Sequence, residues 1–506
     1  MDSVARLNGS FNILIIEETP QRITLISDRY GTRPLFYGCK NNSLAVSDNC
    51  QSIIDSGLLQ KKLNTRLVAN QLSFSRVWIG DDTFFDGVKS LPGASVARWN
   101  AANGLAVSSY KSQIKPLFDR RTPGTARDLA TVLVEVMTDF KALDNVGLSL
   151  SGGLDSRLLL AAGFQGKTFT WGYQPQNDEI EFAQACAKIN GNPWEFIHLS
   201  PTDFLDSDGL GDNIREGLDM SVQSHSLSVY PKIVDQEIQG LITGLALDFT
   251  MAGSYFPPRT KCNTDQELSD FAFNAIEVFE FNKRTQFIRS EEILSQIEGL
   301  QEEVACRFGA IKKNSSVFEQ IQDFFMDSRV RRWTFQRQKW QRSFLEDYIP
   351  TFDNRLIDYL STFKTDALAR HKIFREVLIQ LSPELANVPY QRTGLPPSVP
   401  IEFWDEGKKL SQQRETLYRR MYAKTKGKVF LPYNQYYSNF DEWLRVDPAW
   451  LAATEELLST PKSRIYEFVN KQVVDNWIEE QRSGQQPHYG KIIQLMSLEK
   501  TLRASF

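Results

Sequence analysis

Short apolar runs with polar punctuation open the chain. Phe11–Ile16 and Ile23–Ile26 are rich in β-branched and aromatic residues, and each is bounded by polar or Pro-containing segments. Leu35–Tyr37 and Leu44–Val46 follow, separated by the polar turn Lys40-Asn41-Asn42-Ser43. Runs of this length and bounding predict strands, so the first ~110 residues read as mostly β. The pattern changes near 116–123. Thr122-Pro123 reads as a helix start, Thr capping free N–H groups and Pro fitting the first turn. Leu129, Val132, Leu133 and Val136 then recur at helical spacing.

From there strands and helices alternate. Val146–Leu150, Phe169–Gly172, Trp194–His198 and Leu241–Gly244 read as strands, and Asp178–Ile189 as a helix with Ile180, Ala183 and Ala187 on one face. Such alternation predicts a parallel sheet covered on both faces. Beyond Glu267 the pattern is mainly helical, interrupted at Tyr348–Asn354 and Val388–Pro400. A chain of 506 residues is too long for one core. The reading is α/β, with domains at 1–115, 122–400 and a helical part at 401–506.

Composition narrows the function classes. The chain is 41% apolar and 24% charged, as a folded globular protein is. A formal charge of −4 is the wrong sign for a general nucleic-acid binder. No run reaches the roughly eighteen apolar residues of a membrane helix. The five cysteines form no Cys-x-x-Cys pair, which fits a reducing cytoplasm. Four dispersed histidines give little support to a zinc site or a histidine triad.

The chemistry is concentrated where the strand at Val146 runs into Ser151-Gly152-Gly153-Leu154-Asp155-Ser156 and then into a helix. Unpaired N–H groups at a helix start attract phosphate. Gly152 and Gly153 let the main chain approach phosphate oxygens, and Ser151 and Ser156 add hydroxyl donors. Asp155 would repel bare phosphate, so its presence calls for a bridging Mg²⁺. Gly166-Lys167-Thr168 is not a Walker loop, because Ala161 stands where the first glycine is needed.

This loop resembles that of the asparagine synthetase family within the ATP pyrophosphatases, and other segments are similar to the family in the same order. They are Thr168–Gly172 with Asn177–Ala183, Ile349–Leu356, Arg370-His371-Lys372, and Arg392 with Gly394-Leu395-Pro396. Asp28–Tyr37 and Asp82–Gly93 are similar to runs of the family's glutaminase domain. The resemblance implies an N-terminal β-rich, Ntn-hydrolase-like remnant followed by a parallel-sheet α/β ATP pyrophosphatase domain of the adenine nucleotide alpha hydrolase-like type. It implies ATP contacts at Ser149, Ser151, Gly152, Gly153, Asp155, Ser156, Trp171, Thr243 and Gly244, and Mg²⁺ on Asp155 and Asp248. Arg392 or Lys372 is the implied catalytic cation. The implied partners are a small-molecule carboxylate or peptide, an ammonia or amine donor, and a second copy in a homodimer. The implied reaction forms an acyl-adenylate and then an amide, releasing AMP and pyrophosphate.

Three departures qualify it. The family's glutaminase begins with a catalytic cysteine, whereas this sequence begins Met1-Asp2; Cys39 lacks the α-amine that chemistry needs. No release of ammonia from glutamine is therefore expected. The family's Ser-Gly-Glu-Gly-x-Asp-Glu loop is here Thr243-Gly244-Leu245-Ala246-Leu247-Asp248-Phe249. The late lysine of the family is Arg392, which neutralises charge but does not exchange protons. The segment Gly217–Tyr230, where the family contacts its amino acid, reads Asp219-Met220-Ser221-Val222-Gln223-Ser224-His225 and lacks the usual Glu-Pro. These departures keep open a tailoring amide or lactam synthetase of the β-lactam synthetase or lasso-peptide cyclase type, and a degenerate ATP-binding protein.

Overall fold

The computed structural model describes residues 3–74, 78–110, 124–205, 209–219, 221–253, 284–310, 317–363, 365–425, 438–460 and 462–506, together with 264, 266–267 and 270–271. The boundary near 116–123, with its Thr122-Pro123 helix start, lies outside them.

The N-terminal part is antiparallel. Strands β1 (Asn12–Glu18), β2 (Gln21–Ser27), β6 (Ser95–Asn100) and β7 (Gly104–Ser109) form one sheet in that order. Strands β3 (Phe36–Lys40), β4 (Ser43–Ser47) and β5 (Val88–Ser90) form a second, with β3 central. Asp28 closes the turn after β2, accepting from the Tyr30 and Thr32 N–H groups and from the Thr32 hydroxyl.

The second part is a parallel sheet in the order β10-β9-β8-β11-β12. Its strands are β8 (Val146–Ser149), β9 (Thr168–Gly172), β10 (Trp194–His198), β11 (Gly240–Ile242) and β12 (Glu346–Tyr348). Helix α1 (Ala126–Lys141) precedes β8 and is capped by Thr125, whose side chain accepts from the Asp128 N–H. It buries Leu129, Leu133, Val136 and Met137. Helix α2 (Asp155–Ala161) leaves β8, and α3 (Asp178–Asn190) links β9 to β10 under an Asn177 cap. Helices α4 (Ser226–Val234), α5 (Leu247–Ala252), α6 (Phe335–Arg342), α7 (Ile401–Lys424) and α8 (Tyr489–Ser505) complete the layers used below.

β8 sits between β9 and β11, so the ends of three strands converge beside its loop, as open α/β sheets arrange their ligand crevices. The C-terminal helices pack back onto the rest. The Gln494 side chain of α8 donates to the Gln71 carbonyl, and Phe506 packs on Phe85 with ring centroids 5.1 Å apart.

Candidate functional site

The loop after β8 is held open by its own side chains. The Ser151 N–H donates to Ser156 Oγ at 3.0 Å, and the Gly153 N–H donates to Ser151 Oγ at 3.2 Å. Gly152 is required by packing, since a Cβ there would lie 2.5 Å from the Glu179 carbonyl oxygen. The turn after β11 presses on the same place. A Cβ on Gly244 would lie 2.7 Å from the Asp155 carbonyl carbon and 2.8 Å from the Ser156 nitrogen. Only glycine lets the two turns touch. Gly244→Ala is expected to cost about 1–3 kcal/mol through overpacking, and to separate the turns; a melting curve and an ATP titration check both.

This contact brings Asp155 and Asp248 together, although 93 positions separate them. Burial first, and then the Asp248 charge, hold the Asp155 carboxyl well above the usual carboxylate range. An N–H from Asp248 and the nearby Arg392 act in the opposite direction. Arg392 also acts on Glu179, which burial pushes up to about 7, and on Tyr390, pushed up by burial to about 12. The residues flagged from the sequence around Asp155 therefore meet, with Arg392 among them.

Lys372 does not join them. It is exposed at the start of its helix. The lysine beside Arg392 is Lys408 of α7, whose pKa burial and the neighbouring Arg392 and Arg370 charges depress. The lysine next to His371 in sequence is thus exposed, while one from a distant helix is half-buried beside Arg392. His371 is buried and pushed down to about 3 by burial and by the charges of Lys408, Arg392 and Arg375, so it is neutral. Arg370 and His371 both hold positive φ, 61° and 59°. Two successive left-handed non-glycine residues are costly and cluster at functional sites.

A cleft of about 210 Å³ opens beside the loop. Ser149, Ser151, Thr170, Trp171 and Glu179 form its sheet side. Gln223, His225, Tyr230, Arg337 and Trp340 face them. Trp171 meets Tyr230 edge-on at 6.3 Å. Arg337 donates to Gln223 Oε1 at 2.7 Å and lies over Trp333; among the described residues no carboxylate pairs with it. Thr243 lies on the other side of the loop, its N–H donating to the Tyr348 carbonyl and its Oγ1 buried without a partner.

Two features escaped sequence reading. Arg157, wholly buried, donates to the carbonyls of Gly152, Val388 and Pro389, at 3.0, 2.6 and 2.9 Å. It fastens the phosphate-type loop to the segment that carries Tyr390 and Arg392. Asp219, in the segment expected to meet an amino-acid substrate, instead accepts from the indoles of Trp333 and Trp340, both at 3.0 Å. The Arg157 contacts to Val388 and Pro389 reach across more than 200 residues, so no local pattern announces them.

Comparison with protein families agrees with this geometry. Residues 1–111 match a glutamine amidotransferase domain, and residues 135–230 match an asparagine synthase domain. No curated protein matches the chain. The asparagine synthase match supports a ligase-type enzyme. In that order, the two domains match the asparagine synthetase family, whose members use ATP. The chain is thus supported as an asparagine synthase-like, ATP-dependent amide ligase. Among the described residues, no helix is long and apolar enough to cross a membrane.

Proposed function

We propose that this chain activates a carboxylate with ATP, passes the acyl group to ammonia or an amine, and releases AMP and pyrophosphate. The observation that carries the proposal is the meeting of Asp155 and Asp248 across two glycine-tight turns, with Arg392 alongside. Two carboxylates crowded together repel each other in the bare protein but suit a hard cation. Mg²⁺ fits there. Among the described residues no group of three metal-ligating side chains occurs, so phosphate oxygens and water would complete its shell. When bound, the ion would supply neutralisation of polyphosphate charge.

The protein's own groups do the positioning. Ser151, Gly152, Gly153 and Ser156 hold the phosphate tail with main-chain N–H and hydroxyl groups. Ser149, Trp171, Thr243 and Gly244 flank the rest of the nucleotide. Arg392 and Lys408 offset the charge that builds up as pyrophosphate leaves, and neutral His371 adds none. Glu179 titrates near 7 at the cleft edge. Below that pH it is neutral; above it, its charge opposes the phosphates. The KM for ATP is expected to rise as pH passes about 7, and Glu179→Gln is expected to flatten that rise; steady-state kinetics over pH measure both.

Two positions favour an acid other than aspartate. Leu245 packs against the core where the family places a glutamate, and Asp219 is engaged by two indoles. Neither presents a carboxylate to a substrate ammonium. This supports the tailoring variant of the same chemistry, with a peptide or a small acid as substrate. Exchange of labelled pyrophosphate into ATP, run with a panel of carboxylates, tests the proposal. Exchange that depends on one of them is expected; exchange with none argues for a nucleotide-binding protein without ligase activity.

A further inference from the structure

The cleft beside the loop has two walls, and charge is divided between them. On the sheet side, Glu179 packs its backbone against Gly152 and lies near Arg392, so it belongs to the phosphate end. On the facing wall, among the described lining residues, Arg337 of α6 is the one charged side chain. His225 stands near it, but burial pushes that imidazole down to about 4 and leaves it neutral. Arg392 is the cation felt by Asp155 and Glu179, whereas Arg337 is the one felt by His225 and Tyr230. The two arginines therefore serve different ends of the cleft.

The Arg337 guanidinium is set in place by its neighbours. One Nη donates to Gln223 Oε1 at 2.7 Å, and Cζ lies 4.9 Å from the centroid of the Trp333 ring. Asp219 accepts from the Trp333 indole and also from Trp340, which borders the cleft. Arg337 Nε is buried and has no acceptor among the described residues. An arginine does not shed its charge, so one that lines a cleft without a carboxylate calls for an anion from outside. A planar fork with unused N–H groups takes a carboxylate in two parallel bonds.

The triphosphate tail is placed at the other end, on residues 151–156, so the anion that reaches Arg337 comes with the acid. We propose that Arg337 holds a second carboxylate of that acid, which makes the substrate a small dicarboxylic acid. This rests on the ligase reading above. One carboxylate supplies the oxygen that bonds to the α-phosphorus as pyrophosphate leaves. The other stays ionised in the Arg337 fork and sets which acid is taken. An amino group beside the held carboxylate gains nothing there, because the nearby Asp219 is engaged by two indoles. The cleft measures about 210 Å³, below the roughly 300–1,000 Å³ of sites for drug-sized ligands, which selects a short acid over a peptide.

Exchange of labelled pyrophosphate into ATP by the full chain with Mg²⁺ tests this. The acids are succinate, glutarate and adipate, their monomethyl esters, and butyrate. At least one diacid is expected to support exchange, with its monoester lower in kcat/KM by about tenfold to a hundredfold. Arg337→Met removes the charge and keeps an apolar stem beside Trp333. It is expected to raise the KM for the diacid by about the same factor and to leave the KM for ATP within about twofold. Arg337→Lys is expected to fall between. Diacid and monoester used equally well would overturn the assignment and leave the ligase reading standing; that comparison needs only the wild type. Exchange with butyrate but with no diacid would do the same. So would an Arg337→Met protein whose KM for ATP rises as much as that for the diacid, since Arg337 would then be a nucleotide contact. Exchange with none of these acids would overturn the assignment together with the ligase reading.

Discussion

Replacing Asp155 by asparagine is expected to raise the melting temperature of the bare protein and abolish pyrophosphate exchange. The two effects have one cause. Burial and the Asp248 charge raise the Asp155 pKa in the folded state. A carboxyl with a raised folded-state pKa holds its proton longer when folded than when unfolded. Stability therefore falls as pH climbs from the unfolded pKa, near 3.8, through the folded one. Above its folded pKa the folded protein bears the whole of that penalty. Asparagine keeps the shape and the acceptor for the Asp248 N–H, and removes the charge. A stabilised protein with a disabled site is the usual trade where function holds like charges together. Addition of Mg²⁺ and ATP is expected to raise the melting temperature of the wild type and leave Asp155→Asn nearly unmoved. A variant that melts lower than wild type, or that still exchanges, would contradict the role given to Asp155.

Arg157→Ala is expected to be the most destabilising single change near the site. It removes donors from the Gly152, Val388 and Pro389 carbonyls, all in the interior. Hydrogen bonds to a charged group contribute on the order of 1.5–3 kcal/mol each. The losses overlap and water enters, so a total near ~3 kcal/mol is expected. Arg157→Lys should recover little, because one ammonium cannot reach three carbonyls set around a planar fork. Chemical denaturation measures the loss. Among molecules that remain folded, weakened ATP binding is the sign that the loop and the Arg392 segment have come apart.

The sheet strands were legible because their signal is local. Phe11–Ile16 and Ile23–Ile26 announced β1 and β2, and Val146 with its glycine loop announced β8 and α2. The Ser-Gly-Gly-x-Asp-Ser run could be read because a strand, a turn and a helix start lie in one stretch of chain. The Thr243–Asp248 turn was weaker alone, since its glycine has meaning only against Asp155. Lys372 shows the limit. It was singled out for its neighbours in sequence, yet it faces solvent, and Lys408 from α7 stands beside Arg392. Arg157, Arg337 and Lys408 depend on contacts made at long range, and burial decides what each charge does. Asp219 lies in the segment where the family contacts its amino acid, and only the fold shows two indoles, more than a hundred residues on, holding it.

The most direct test of the central claim is the fate of ATP. Phosphorus NMR of the wild-type protein turning over with Mg²⁺, ATP and its carboxylate reads it in one spectrum. Cleavage between the α- and β-phosphorus, giving AMP and pyrophosphate in equal amounts, is the result predicted for a tail held by residues 151–156 between Asp155 and Asp248. ADP and orthophosphate would contradict it.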